Sequence, residues 1–233
     1  HCASGYDAAA VFGALRDVFP SCHCLAVGRG EQTLVAATPE LLVRRAGLRA
    51  STLALAGSTG RSADPAVDRH LGEQLLRSHK NLGEQAIVTS RIERALAPHS
   101  VWVTSADEPQ LVKIANIQHL ATPVRAQLRD PTPVIELAGM LHPTPAVGGE
   151  PREAAMALIP RLEGLDRGWY AGPVGWTDAN EDGEFVVALR SALLSGELAR
   201  CYAGVGVVAE SDPAAELAET EVKLQAMLPA LGA

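Results

Sequence analysis

The sequence predicts an α+β domain built on antiparallel sheet. Three observations predict it: strand-like runs come in neighbouring groups, helical stretches come in blocks, and strict β-α alternation is absent. At 233 residues the chain is expected to form one domain over 1–233, long enough to bury a large core.

Residues 7–19 read as a helix, because Asp7 suits the N-cap, Val11, Leu15 and Val18 share a face, and Pro20 stops it. Strand-like runs follow at 22–28, 33–37, 40–45 and 48–55, with Gly28, Gly30 and Gly47 as turn signals. From Asp64-Pro65 one long helical stretch is expected to about Leu96, Pro65 fitting the first helical position. Further strands are expected at 101–105, 110–114 and 119–128. Helices at 133–141 and 152–162 flank a Pro/Gly-rich link at 142–151. The last third reads as sheet, at 172–177, 184–190, 192–194, 199–203 and 206–209, before a final helix from Asp212-Pro213 to about Leu231. No internal repeat, low-complexity tract or clear linker interrupts this order.

Composition narrows the functional classes. A net charge of −7 argues against nonspecific nucleic-acid binding, and three residues each of Trp, Tyr and Phe are too few for a base-stacking platform. No apolar run approaches the roughly 18 residues of a membrane span, and the start lacks a basic region followed by an apolar one. A cytoplasmic monomer with no membrane partner is the expectation. Cys2, Cys22, Cys24 and Cys201 form no Cys-x-x-Cys pair, and on a strand Cys22 and Cys24 share a face as small core residues would. The chain opens at His1, and Lys80 is the first of only three lysines. We therefore expect the numbering to begin inside a longer protein.

Several side-chain groups have chemical potential. Glu216, Glu219 and Lys223 lie at i, i+3 and i+7 on one helix face, as a solvated stripe or as part of a site. Lys80 and Glu84 have the i,i+4 spacing of an ordinary surface pair. Carboxylates from two distant helices can together hold Mg²⁺. Arg190 ends the apolar run at 185–189, and strand alternation places it on the face of Val186 and Ala188, where a partly buried guanidinium needs an anionic partner, either an internal acid or a bound carboxylate. His119 is either a structural histidine or a site residue. Residues 204–209 formally fit the dinucleotide fingerprint, which would make a nicotinamide-binding oxidoreductase. Their β-branched valines, however, favour a strand over a helix start. No Gly-x-Ser-x-Gly elbow or phosphate loop occurs.

The ordered segments Thr38-Pro39-Glu40, Leu55-Ala56-Gly57-Ser58-Thr59, Ser78-His79-Lys80-Asn81-Leu82-Gly83-Glu84, His142-Pro143-Thr144-Pro145-Ala146, Gly172-Pro173-Val174-Gly175-Trp176 and Glu216-Leu217-Ala218-Glu219 resemble the chorismate-utilising enzymes. The isochorismate synthases are the most similar branch, with Gly148-Gly149-Glu150-Pro151-Arg152 pointing the same way. The match runs from about Ala37 to Leu228. It implies antiparallel sheets flanked by helices, of the chorismate-binding type and incomplete at the N-terminus. It also implies Mg²⁺-dependent conversion of chorismate to isochorismate.

By this resemblance Glu40 is the general acid for the departing C4 hydroxyl, which requires burial or a neighbouring anion to hold it protonated; the apolar run Leu41-Leu42-Val43 beside it favours partial burial. Glu84 and Glu219 are metal ligands, and Glu216 is an acid behind them. Arg190 and the amides of Gly204 and Gly206 take the pyruvyl carboxylate. Gly57, Ser58, His119, Ala146, Tyr170 and Lys223 line the site. Asn81 stands where relatives carry an acid, which removes one charge near the metal. The family's water-activating base is a lysine upstream of Thr-Pro-Glu, and this chain has no lysine before Lys80. That base is expected on a segment preceding this chain. Sibling enzymes making salicylate, anthranilate or aminodeoxychorismate, and a non-catalytic binding module, are the alternatives.

Overall fold

The computed structural model describes residues 1–232. Asp7 caps α1 (Ala8–Val18), its carboxylate accepting from the amides of Ala9 and Ala10 at 2.9 and 3.3 Å. Val11 and Leu15 are buried as expected, but Val18 is 51% exposed. Phe19, just past the helix end, turns inward in its place.

Four strands follow: β1 (His23–Arg29), β2 (Gln32–Thr38), β3 (Leu41–Ala46) and β4 (Arg49–Gly60). Two helices come next, α2 (Pro65–Arg77) and α3 (His79–Leu96), where one was expected. Ser78 breaks the run. It adopts an extended ψ of 110°, and its hydroxyl accepts from the Asn81 amide, so it caps α3. The break starts a new helix whose first two turns carry Lys80, Asn81 and Glu84.

Strands β5 (Ser100–Ser105), β6 (Gln110–Lys113) and β7 (Ile117–Leu128) precede α4 (Val134–Leu141), the short α5 (Pro145–Gly148) and α6 (Arg152–Glu163). The chain closes with β8 (Pro173–Thr177), β9 (Gly183–Val187), β10 (Ser191–Ser195), β11 (Leu198–Tyr202) and α7 (Pro213–Leu224). Three expectations fail here. The strand at 184–190 stops at Val187, and Arg190 takes a left-handed φ of 49°. Residues 203–208 form no strand. The final helix ends at Leu224, with a separate single turn at Pro229–Leu231.

All pairings are antiparallel, in two sheets. One has the order β1-β2-β10-β11; the other runs β5-β7-β4-β3-β9-β8, with β6 also on β7. The larger core lies where α3 and α4 cover the seven-stranded sheet, burying Leu42, Val43, Ile92, Leu96, Val124 and Leu137. The second core places α1 and the chain end over the four-stranded sheet, through Leu15, Phe19, Val35, Leu194 and Met227. Cys22, Cys24 and Cys201 pack against this second core as free thiols, the structural role expected for them. Among the described residues no helix is long and apolar enough to cross a membrane.

Candidate active site

Glu40 sits at the turn between β2 and β3, where its amide donates to Thr38 Oγ1 at 3.2 Å. Its side chain is buried and accepts from Thr144 Oγ1 at 3.4 Å. Burial pushes this carboxyl up to about 7, while the Thr144 hydrogen bond and the charges of Lys223 and Arg190 pull the other way. Thr144, the residue before α5, went unremarked in the sequence, although the His142–Ala146 segment contains it.

Arg190 is buried beside Glu40's field, and its Nη2 pairs with His119 Nε2. Its Nη1 is buried with no partner. His119 stands near the start of β7, opposite Ser58 on β4 and Val112 on β6. Burial, then Arg190 and Lys223, hold the imidazole well below its usual value and therefore neutral. The sequence argument for Arg190's burial relied on strand alternation, which stops at Val187. The burial is real, but the irregular segment 188–190 produces it.

Lys223, on α7, links two groups of residues. Its Nζ donates to the Gly204 carbonyl at 2.9 Å and lies 2.7 Å from Glu219 Oε1. Ser58 Oγ donates to the same Glu219 oxygen at 2.6 Å, so Ser58 holds an acid in place. Gly204 and Gly206 need to be small: an added Cβ would meet Tyr170 Oη at 2.9 Å and Glu84 Oε2 at 3.3 Å. The stretch between Tyr170 and Glu84 is thus backbone, with its amides available. Tyr170 stacks on Tyr202, ring centroids 5.0 Å apart, and burial pushes its hydroxyl to about 12. Sequence reasoning did not single out Tyr202.

Glu84, Glu216 and Glu219 converge from α3 and α7. Lys80, read from sequence as half of an ordinary helix pair, reaches across to Glu216 as well as lying 3.5 Å from Glu84. Burial raises Glu84, and the charges of Glu219 and Glu216 add to that against Lys80. Glu84 Oε1 is buried without a hydrogen bond. For Glu216 burial is the largest influence and acts upward, but the hydrogen bonds from Lys80 and Ser211 and the charges of Lys80 and Lys223 together outweigh it, and the net is a lowering. As they stand, no three such acids among the described residues form a group ready to grip an ion. The two lysines occupy them instead. The donor chemistry nevertheless fits a hard divalent cation: three carboxylates, one with an orphaned buried oxygen, share two ammonium groups.

Gly57 has a φ of 69° at a bulge in β4, where the register against β7 shifts between Ala56 and Ser58. An added Cβ there would lie 2.8 Å from Asn81 Cβ, so the glycine lets α3 close onto the bulge. Asn81 turns its amide to Ser78 Oγ at 2.8 Å. It serves the helix start, where an acid was expected to serve a metal. Ala146 is half-buried and packs against the larger core. A groove of about 400 Å³, lined in part by Arg29, Arg167 and Tyr202, shares only Tyr170 with these residues.

An antiparallel fold gathers here a buried acid, an under-paired arginine and a glutamate cluster, chemistry able to take a small anion and a cation. The family model for chorismate binding enzymes matches residues 1–232, and the chain belongs to that family. Isochorismate synthase MenF of Bacillus subtilis is 41% identical over 95% of this chain and 47% of its own length. A structure assigned to DhbC, a 2,3-dihydroxybenzoate-specific isochorismate synthase of Bacillus anthracis, superposes with a TM-score of 0.96 at 40% identity, covering 99% of this chain and 63% of that one. Anthranilate synthase component I of Streptococcus pneumoniae gives 0.82 at 25% identity, covering 95% and 49%. The chain spans about half the length of the curated relatives it matches.

Proposed function

We propose that this chain carries the centre of a Mg²⁺-dependent isochorismate synthase, an isomerase that adds water at C2 of chorismate while the C4 hydroxyl departs. The observation that carries the reading is Glu40, a buried carboxyl raised to about 7 and therefore substantially protonated near neutrality. Hydroxide is a poor leaving group, and a neutral carboxylic acid can donate the proton that lets it leave as water. Arg190, through its free Nη1, and the backbone amides around Gly204 and Gly206 take the pyruvyl carboxylate. Lys223 and Tyr170 bound the same space.

Glu84, Glu219 and Glu216 would hold the divalent cation, which would supply positive charge to bind and orient the ring carboxylate. The attacking water also needs a base. Lys80 is unsuited to that role: burial acts downward on it, but Glu216 and Glu84 outweigh that and raise it, which favours the charged form. The resemblance assigns the base to a lysine N-terminal to Thr38, and this chain has none before Lys80.

Isochorismate is favoured over sibling products because curated relatives with that name align at 37–48% identity, against 25% for the anthranilate enzyme. A menaquinone-specific synthase of Escherichia coli and a vibriobactin-specific synthase of Vibrio cholerae are both among the relatives. We place the reaction in the cytoplasm, in a monomer. The nicotinamide reading loses its footing, because residues 204–209 open no helix and α7 starts only at Pro213.

Chromatography of chorismate incubated with the full-length protein, with and without Mg²⁺, tests the proposal. Isochorismate formed only with Mg²⁺ is the expected result. Salicylate, or an amino product when ammonia is supplied, would move the chain to a sibling branch. No product and no chorismate binding by calorimetry would overturn the reading.

A further inference from the structure

We propose that His119 is a positioning residue: by accepting a hydrogen bond from Arg190 Nη2 it fixes the guanidinium and leaves Nη1 free for a substrate carboxylate. The inference rests on the proposed function and adds a division of labour to it. His119 is rigidly mounted, since β7 is laddered on both sides at this point, to Ser58 and to Val112. Arg190 is different: its backbone is held in an imposed turn, and its long side chain reaches the site from there. The residue lies between β9 and β10 in a left-handed conformation that a non-glycine residue holds only when its surroundings impose it. Its backbone is tied to β2 through a single bond, from the Ala37 amide to the Arg190 carbonyl at 3.2 Å. The imidazole therefore supplies the orientation of the guanidinium, which the backbone alone does not fix.

The partner type also matters. A carboxylate in this place would orient Arg190 equally well but would neutralise it and compete with the substrate. A neutral imidazole accepts the same hydrogen bond and leaves the positive charge undiminished. For Nε2 to accept, the ring proton must sit on Nδ1. Burial and the neighbouring cations keep the ring from taking a second proton.

Two measurements test this. Nitrogen NMR of the imidazole at pH 7 should show His119 as the Nδ1–H tautomer; an Nε2–H tautomer or an imidazolium would overturn the inference whatever the substrate. Calorimetry of chorismate binding would then compare Arg190→Ala, His119→Leu, His119→Gln and the double variant Arg190→Ala/His119→Leu. Each folds if its thermal transition remains cooperative. His119→Leu should weaken binding roughly tenfold or more, approaching Arg190→Ala. Glutamine, which offers an acceptor at similar reach, should restore most of it. The double variant should bind no worse than Arg190→Ala alone. Weak binding by Arg190→Ala with normal binding by His119→Leu would sink the positioning role alone. Unchanged binding by Arg190→Ala would instead remove Arg190 as the carboxylate receptor, and the proposed function with it.

Discussion

Asp68 on α2 and Glu84 on α3 are carboxylates with little exposure on neighbouring helices, each with cations in reach, yet they are treated in opposite ways. Asp68 accepts from Arg61 Nε at 2.7 Å and Nη2 at 3.2 Å, from Lys113 Nζ at 2.8 Å and from the Ser62 amide at 3.2 Å. The hydrogen bond from Arg61, then that from Lys113, holds its carboxyl far below the usual range. Glu84 has one lysine at 3.5 Å, an oxygen with no hydrogen bond, and a carboxyl raised by burial. Around Asp68 two cations serve one acid; around Glu84 two lysines are divided among three acids. The first cluster is closed and ties α2 to β6. The second has surplus acid, as a cation site requires. Counting partners, rather than noting that charges are buried, separates a closed structural network from a cluster with acid to spare.

The largest expected effect lies outside both clusters, at Glu40. Glu40→Gln should lower turnover by roughly 10²- to 10⁴-fold while chorismate affinity stays within about twofold, since the amide cannot donate the proton. Steady-state kinetics with a binding titration reads this, and unchanged turnover would remove Glu40 as the acid. Next, Glu219→Ala should move the Mg²⁺ titration at least roughly tenfold, whereas Asp68→Asn should not move it. Equal shifts would erase the distinction between the clusters.

Stability should divide the other way. Asp68→Asn strips Arg61 and Lys113 of their acid, so the thermal midpoint should fall clearly. Glu84→Gln in metal-free protein should cost no more than about 1 kcal/mol, because it removes a poorly solvated charge. The smallest effects concern pH. The depressed Asp68 carboxyl contributes stability that is present above its unfolded value near 4 and lost as pH falls towards the folded one. The gap between wild type and Asp68→Asn should therefore narrow only in acid. Glu40 has the opposite sign. Between the usual glutamate value and about 7 the folded state keeps a proton that the unfolded state has lost. Wild-type stability should fall across that window relative to Glu40→Gln, as thermal melts over pH would show.

Much of the site could be read from the chain because its residues lie in short, ordered segments, and Glu40's burial followed from the apolar run beside it. The antiparallel character also followed, since grouped strands leave little room for crossover helices. What escaped depends on distance in space. Lys80 looked like half of a surface pair because i,i+4 spacing says nothing about Glu216, which is 136 residues away. The break at Ser78 was missed although serine with Asn81 three residues on is a helix-start signal. The strand expected at 206–209 failed because valine propensity carries no information about a stretch whose Gly206 lies against Glu84 and whose Val207 is 76% exposed. Arg190's left-handed turn has no sequence signature, since glycine or asparagine would be the usual sign.

Calorimetric titration of Mg²⁺ into wild type, Glu219→Ala and Asp68→Asn, each with chorismate present, tests the central claim most directly. A single binding event that survives in Asp68→Asn and disappears in Glu219→Ala is the predicted result. Binding undiminished in Glu219→Ala, or lost only when Asp68 is changed, would contradict the assignment of the glutamate cluster as the cation site.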